Sequence, residues 1–273
     1  MKNKYISKQS SELLTWFRNH EMERFDYKDA FKALPGSKKG AVRELLSDMT
    51  KRGLLMRLKE GKYYIIPYEQ DSITFMPDWH LVAECLAGAG NYYIGYYSAL
   101  EILGLITQPS LKEQIVVQKQ IKPSTIYIKN VPFQFIFHNG HHFFGYKETW
   151  IDSYNRVMCS DLEKTIIDCL FKPSYAGGIV EISKAIILSK DQIDFTKLLD
   201  YLNKFKSQAV IKRVGFLLEL LEINNNIIDL LLKMRSDSYV ILDTELPNKG
   251  KFISKWSIQQ NIESETIKSV LYT

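Results

Sequence analysis

The sequence predicts an α+β chain built in two parts, and three observations predict it. Apolar residues recur at helical spacing through the first fifty positions and then switch to a period of two. Helix and strand patterns alternate over the rest, with no internal repeat. The charge is also divided: residues 1–70 hold 15 Lys/Arg against 9 Asp/Glu, and residues 71–273 hold 21 against 22. The whole basic excess therefore lies in the first quarter of the chain. That is the electrostatic footprint of a module for a polyanion, most often nucleic acid.

The chain has 273 residues, 45% hydrophobic and 25% charged, with 14 Gly and 8 Pro. Such a composition excludes collagen-like, low-complexity and wholly disordered chains. Its length suffices to bury a core without disulfides or metal. Cys85, Cys159 and Cys169 are too far apart for a C-x-x-C zinc site and are odd in number. The apolar run Ile179–Leu188 is broken by Glu181 and Lys184, well short of the ~18–20 residues of a membrane span. Met1–Gln9 lacks the apolar stretch of a secretion signal, so a cytoplasmic protein is expected, with no membrane partner.

Within residues 1–70, Leu13, Leu14 and Phe17 give a helix over Ser10–His20. Asp26 is the expected N-cap of a short helix from Lys28 to Leu34, and Pro35-Gly36-Ser37 breaks it. A third helix follows over Lys38–Arg52, with Val42, Leu45, Leu46 and Met49 inward and Gly53 as its stop. Leu54–Lys59 and Lys62–Ile66 around Glu60-Gly61 read as a β-hairpin. Helix, helix, turn, helix, hairpin is the order of a winged helix-turn-helix, whose third helix enters the major groove while the hairpin follows the phosphates. The residues expected to contact DNA are Lys38, Lys39 and Arg43 on that helix and Arg57, Lys59 and Lys62 on the hairpin. Lysine and arginine neutralise phosphate, and an arginine in the groove reads guanine bidentately.

Pro67–Pro77 is the best border, giving domains of 1–70 and 71–273. In the second, Asp78–Ala89 reads as a helix, Tyr92, Tyr93, Tyr96 and Tyr97 cluster, and Ser98 opens another helix ending near Gly104. Strand patterns follow at Gln114–Gln118, Thr125–Lys129, Phe133–Phe137 and His141–Phe144. Ser160 and Glu163 match a capping box for a helix over Asp161–Phe171 that Pro173 closes. Further helices are expected from Gly178 to about Ser189 and over Phe195–Lys204, Gln208–Leu221 and Asn226–Met234. Tyr239–Asp243 and Phe252–Gln260 look like closing strands.

Four constellations have chemical readings beside their bland ones. Asn139-Gly140 reads as a hairpin turn that sets His138 facing His141 and sends His142 to the other face, which leaves too few ligands for zinc. The tyrosine group suits either the wall of a small-molecule pocket or a half-buried strand. Gly177-Gly178 could offer backbone N–H groups to an anion but lacks the Lys-Ser/Thr of a P-loop, so a tight turn is expected. Asp161 and Asp168 are seven apart on one helix, without the third carboxylate of a two-metal nuclease. No enzyme activity, metal or cofactor is expected. An alternative function is a one-component regulator with a ligand beside the tyrosines.

Three stretches carry a resemblance to a known family. They are Gly61-Lys62-Tyr63-Tyr64-Ile65, then Tyr92-Tyr93-Ile94-Gly95-Tyr96-Tyr97-Ser98-Ala99-Leu100, and Val157 to Glu181, with Ser160-Asp161-Leu162-Glu163-Lys164-Thr165 and Ala176-Gly177-Gly178. Lys255-Trp256 and Asn261 resemble a closing strand. Together they are similar to the AbiEi family, the antitoxins of type IV (abortive infection) toxin–antitoxin systems. The sequence departs from the family in carrying Lys164 and Lys255 where arginine is frequent. The resemblance implies a DNA-binding N-terminal domain that represses its own operon and an antitoxin-like mixed α/β domain. It further implies a cognate nucleotidyltransferase-like toxin, countered without the need for a stable complex, and roles for Glu163, Lys164 and Trp256 that are either structural or toxin-related.

Overall fold

The computed structural model describes residues 4–88, 90–106, 108–223 and 226–272. It is α+β and divides into two compact units, 1–89 and 90–273.

The first unit begins with α1 (Lys8–Asn19), which Ser7 caps through the Ser10 N–H, and β1 (Arg24–Asp26). It continues with α2 (Tyr27–Ala33), α3 (Lys39–Lys51), β2 (Leu55–Lys59) and β3 (Lys62–Ile65). Asp26 caps α2 as expected, and Asp29 returns a bond to the Asp26 N–H, completing a capping box. The strand β1 is absent from the sequence reading: at three residues it is too short to show a period. It pairs antiparallel with β3, setting Phe25 opposite Tyr63, so the sheet order is β1-β3-β2. Leu13, Phe17, Phe25, Val42, Leu46, Met49 and Tyr63 form the core.

The unit also runs past the expected border at 70. Its last element, α4 (Trp79–Ala87), is capped by Asp78 and packs on β2. Arg24 pairs with Glu84 at 2.9 Å, and Lys59 and Lys62 bond to carbonyls of the last turn of α4. Those three side-chain ties hold the helix to the sheet, and no composition shift announces them. Including residues 71–89 leaves the unit with 15 Lys/Arg against 12 Asp/Glu.

The second unit is organised on a six-stranded mixed sheet. In chain order its elements are β4 (Tyr92–Ile94), α5 (Tyr96–Ile102), β5 (Glu113–Val117), β6 (Thr125–Ile128), β7 (Val131–Phe137), β8 (Tyr146–Trp150) and β9 (Arg156–Ser160). The order in the sheet is β6-β7-β5-β4-β9-β8, with β5–β7 and β4–β9 parallel and the other pairs antiparallel. All five residues of β5 are buried, as a strand covered on both faces must be. Helices α6 (Leu162–Phe171), α7 (Gly178–Ser189), α8 (Phe195–Phe205), α9 (Gln208–Leu220) and α10 (Ile227–Met234) supply most of the apolar core. A three-stranded sheet follows, β10 (Val240–Ile241), β11 (Lys251–Ile253) and β12 (Ile258–Gln260), and then α11 (Ser264–Lys268).

Four expectations are corrected. His141–Phe144 is not a strand: Asn139 accepts from the His141 and His142 N–H groups at 3.1 Å each, making a local turn instead of a hairpin. Phe252–Gln260 is two strands joined by a tight turn, not one. The helix at 98–104 opens earlier, at Tyr96, which adopts φ +55° beside Gly95. Finally, Asp161 and not Ser160 caps α6, accepting from the Lys164 N–H at 3.0 Å. Ser160 ends β9, and its hydroxyl pairs with that of Thr165 at 2.7 Å.

Candidate functional site

Two places gather the singled-out residues. The first is the exposed face of α3. Val42, Leu46 and Met49 turn inward, so helical spacing leaves Lys39, Arg43 and Lys51 outward, with Lys38 at the N-cap position. Lys38, Lys39 and Arg43 are all exposed, and the Arg43 guanidinium lies 5.5 Å from the Tyr27 ring centre. Pro35-Gly36-Ser37 makes the turn between α2 and α3, with Gly36 at φ +85°. Glu44 and Asp48 share the face, so its charge is concentrated toward its N-terminal half.

The hairpin residues divide. Arg57 is exposed on β2, whereas Lys59 donates to the Leu86 carbonyl at 3.3 Å and Lys62 to that of Cys85. Arg52, at the end of α3, is committed to the Tyr5 carbonyl at 2.6 Å, the Ser10 hydroxyl at 3.0 Å and Asp48 at 2.8 Å. It therefore fastens the N-terminal segment and does not belong to the open face.

The second place is a buried polar centre between α6 and the six-stranded sheet. Lys164 and Asp168 are one helical turn apart on α6, both with no exposed surface, and their ammonium and carboxylate are paired. Lys164 Nζ also donates to Tyr93 Oη at 2.9 Å, and the Tyr93 hydroxyl donates to Asp168 Oδ2 at 2.9 Å. The two nitrogens of His138 lie 3.2 Å from Tyr93 Oη and 2.8 Å from Tyr96 Oη. With the Tyr93 proton given to Asp168, bond matching assigns the His138 proton to Nδ1, and Nε2 accepts from Tyr96. Burial holds His138 neutral by lowering its pKa to about 4; Asp168 opposes that shift and Lys164 assists it. Burial and the neighbouring Asp168 raise Tyr93 and Tyr96 well above the usual phenol range. The Lys164 ammonium is lowered by burial against the pull of Asp168.

His142 comes to the same place, stacked on Phe205 with ring centres 3.8 Å apart, while His141 stays exposed. The pair that approaches is thus His138 and His142, 6.0 Å between ring centres, rather than His138 and His141. The tyrosine hydroxyls of Tyr93 and Tyr96 are spent on His138 and Asp168 and do not line an open pocket wall. Asp161 and Asp168 belong to separate networks: Asp161 accepts from Tyr201 at 2.9 Å and pairs with Lys197 at 3.1 Å. Among the described residues no three His, Cys, Asp or Glu side chains come together as metal ligands.

Glu163 and Trp256 are also bound internally. Glu163 accepts from the Asp194 N–H at 2.9 Å and pairs with Lys197 at 2.8 Å, joining α6 to the start of α8 instead of closing a capping box. Trp256 is fully buried, donates to Glu219 at 2.7 Å, and lies over Gly215 of α9 so closely that a Cβ there would be 2.0 Å from its ring. Lys255 pairs with the same Glu219. At Gly177-Gly178 both glycines have positive φ, and the N–H of Ile179 just beyond bonds to Asp243 at 2.8 Å. The anion that this helix start could receive is therefore a carboxylate of the chain itself.

In the sequence Tyr93 and Tyr96 fall in one cluster, while Lys164, Asp168 and His138 belong to other motifs with readings of their own. The i, i+4 spacing of Lys164 and Asp168 is the one local signal of the pair; Tyr93 on β4, Tyr96 at the start of α5 and His138 just past β7 lie more than twenty residues away.

No family model matches the chain, and no curated protein matches it. A solved structure, the RV2827C protein from Mycobacterium tuberculosis, superposes with a TM-score of 0.71, covering 100% of this chain and 97% of that one at 12% sequence identity. The likeness is one of fold. It extends over both units and carries no statement about what either protein binds. No helix among the described residues is long and apolar enough to cross a membrane.

Proposed function

We propose that this chain is the antitoxin of a type IV toxin–antitoxin system. In this reading a winged helix-turn-helix at its N-terminus represses the operon, and its second unit counters a cognate nucleotidyltransferase-like toxin. The observation that carries the DNA-binding half is the placement of Lys38, Lys39 and Arg43. They stand on the open face of α3, the second helix of a helix–turn–helix, opposite the face that builds the core. Arg43 is aimed outward over Tyr27, where a bidentate contact to guanine is available to it. Lys38 and Lys39 act as point charges on phosphate.

Support for the antitoxin half is the AbiEi resemblance, whose most specific stretch, Val157 to Glu181, runs from β9 through α6, beside the buried centre, into the start of α7. Glu163, Lys164 and Trp256 serve this function by holding the second unit in shape, since each is bound internally.

Two measurements on the full chain test the reading. Gel shift with the DNA upstream of its own operon should show a complex that Lys39→Glu with Arg43→Glu removes; an unchanged complex refutes the assignment of α3. Expression of the neighbouring toxin gene from an inducible promoter should arrest growth, and both the native chain and that double variant should restore it. Failure of the native chain to rescue refutes the antitoxin role.

A further inference from the structure

The last four carbonyls of an α-helix have no partner within the helix and carry the negative end of its dipole. In α4 the Gly88 N–H closes the last turn on Glu84 O at 2.8 Å, and the next two carbonyls, Cys85 and Leu86, receive Lys62 and Lys59. Both lysines come from the hairpin, one from each strand, opposite each other across the β2–β3 pair. Arg24 of β1 holds Glu84 of the same turn, so all three strands of the small sheet are fastened to the end of one helix. Past that end, Gly88 and Gly90 have positive φ and open space around them, and the second unit begins at Gly90.

We infer that Lys59 and Lys62 form a latch for which DNA phosphate and the C-terminus of α4 compete. The inference rests on the DNA-binding reading above and deepens it by naming how that site is regulated. An ammonium group that moves to a phosphate leaves a helix carbonyl without its donor. Binding of a duplex along the hairpin therefore loosens the last turn of α4, where the chain passes from one unit to the next. The coupling is reciprocal: anything that tightens that turn keeps the lysines and weakens DNA binding. Lys59 and Lys62 thus act through α4 as well as on phosphate, whereas Arg57 on the same hairpin has no bond to α4.

Amide hydrogen exchange on the full chain, with and without a short mixed-sequence duplex at low salt, tests this. With duplex bound, the Cys85–Gly88 amides should exchange at least about threefold faster while those of Leu13 and Phe17 in α1 do not. The variant Lys59→Met with Lys62→Met should show the faster exchange without DNA and no further change with it. Its binding should also lose about two from the slope of log affinity against log salt. Duplex binding, seen by fluorescence anisotropy, with unchanged or slower exchange at Cys85–Gly88 overturns the latch and leaves the DNA-binding reading standing. Wild-type exchange in the DNA-free double variant overturns it as well. Absence of binding to any duplex removes both.

Discussion

Helices α3 and α6 read alike in sequence: each is short and amphipathic, and each carries lysine in its first turn. Their lysines have opposite fates. Lys39 is exposed with its ammonium in solvent, whereas Lys164 is fully buried between an aspartate and a tyrosine. On α3 the charge is available to a partner; on α6 it is consumed by the fold. The difference follows from what surrounds each helix. The first unit covers only one face of α3, while α6 lies between a sheet and the helices α8 and α9, so its polar positions must find partners inside. Residue type at a given spacing therefore indicates a site only when the far side of the helix is open.

The largest test of this contrast removes one buried partner. Lys164→Met leaves Asp168 as an uncompensated charge and should cost about 3–5 kcal/mol in urea unfolding, and Asp168→Asn a similar amount. Adding Asp168→Leu to Lys164→Met should recover more than half of the loss, because an apolar pair needs no partner. Strict additivity of the two would mean that the pair is not coupled.

Acid should separate the units next. His138 has a folded pKa of about 4 against 6.5 in the free side chain, so between those values the unfolded chain binds a proton that the folded one refuses. Its contribution is complete above pH 6.5, falls as the pH drops toward 4, and is flat below. The total is about 3 kcal/mol. Amide protection factors at Val116 and Ile136, taken against the intrinsic rate at each pH, should fall as the pH drops over that interval, and His138→Gln should flatten the dependence.

A smaller effect is expected at α9. Gly215→Ala drives a methyl group into the Trp256 ring and should cost about 1–3 kcal/mol by overpacking, read as a lower thermal midpoint. The smallest belongs to α3: Lys39→Ala and Arg43→Ala should leave stability within about 0.5 kcal/mol while weakening DNA binding. A large loss of stability from either would place that face inside the fold.

The elements legible in the sequence are those with a local cause. Asp26 caps α2 where spacing puts it, α4 opens within a residue of Asp78, and α8, α9 and α10 lie within about a residue of their apolar periods. What escaped has a distant cause. The strand β1 exists because β3 pairs with it, and α4 joins the first unit through Arg24, Lys59 and Lys62. Asn139-Gly140 carries the local signal of a hairpin, but β7 already has both neighbours in β5 and β6. The chain beyond it is left to turn inward, which carries His142 toward His138. At α6, Asp161 and Ser160 both suit an N-cap, and the pairing of β9 up to Ser160 decides for Asp161. The exposed basic residues of α3 are readable because one helix period separates them from the core, while the buried centre needs the sheet order to be seen.

The bond from Ile179 to Asp243 has a consequence for the order of events during synthesis. Every internal partner of the first unit has been made once residue 89 is translated, whereas the start of α7 waits for residue 243. At ~5–20 residues per second that interval is roughly 8 to 30 s. For that time a nascent chain can present a finished α3 while its second unit still lacks the strands that close it. The half of the molecule that would meet DNA is ready first, and the half that would meet the toxin last.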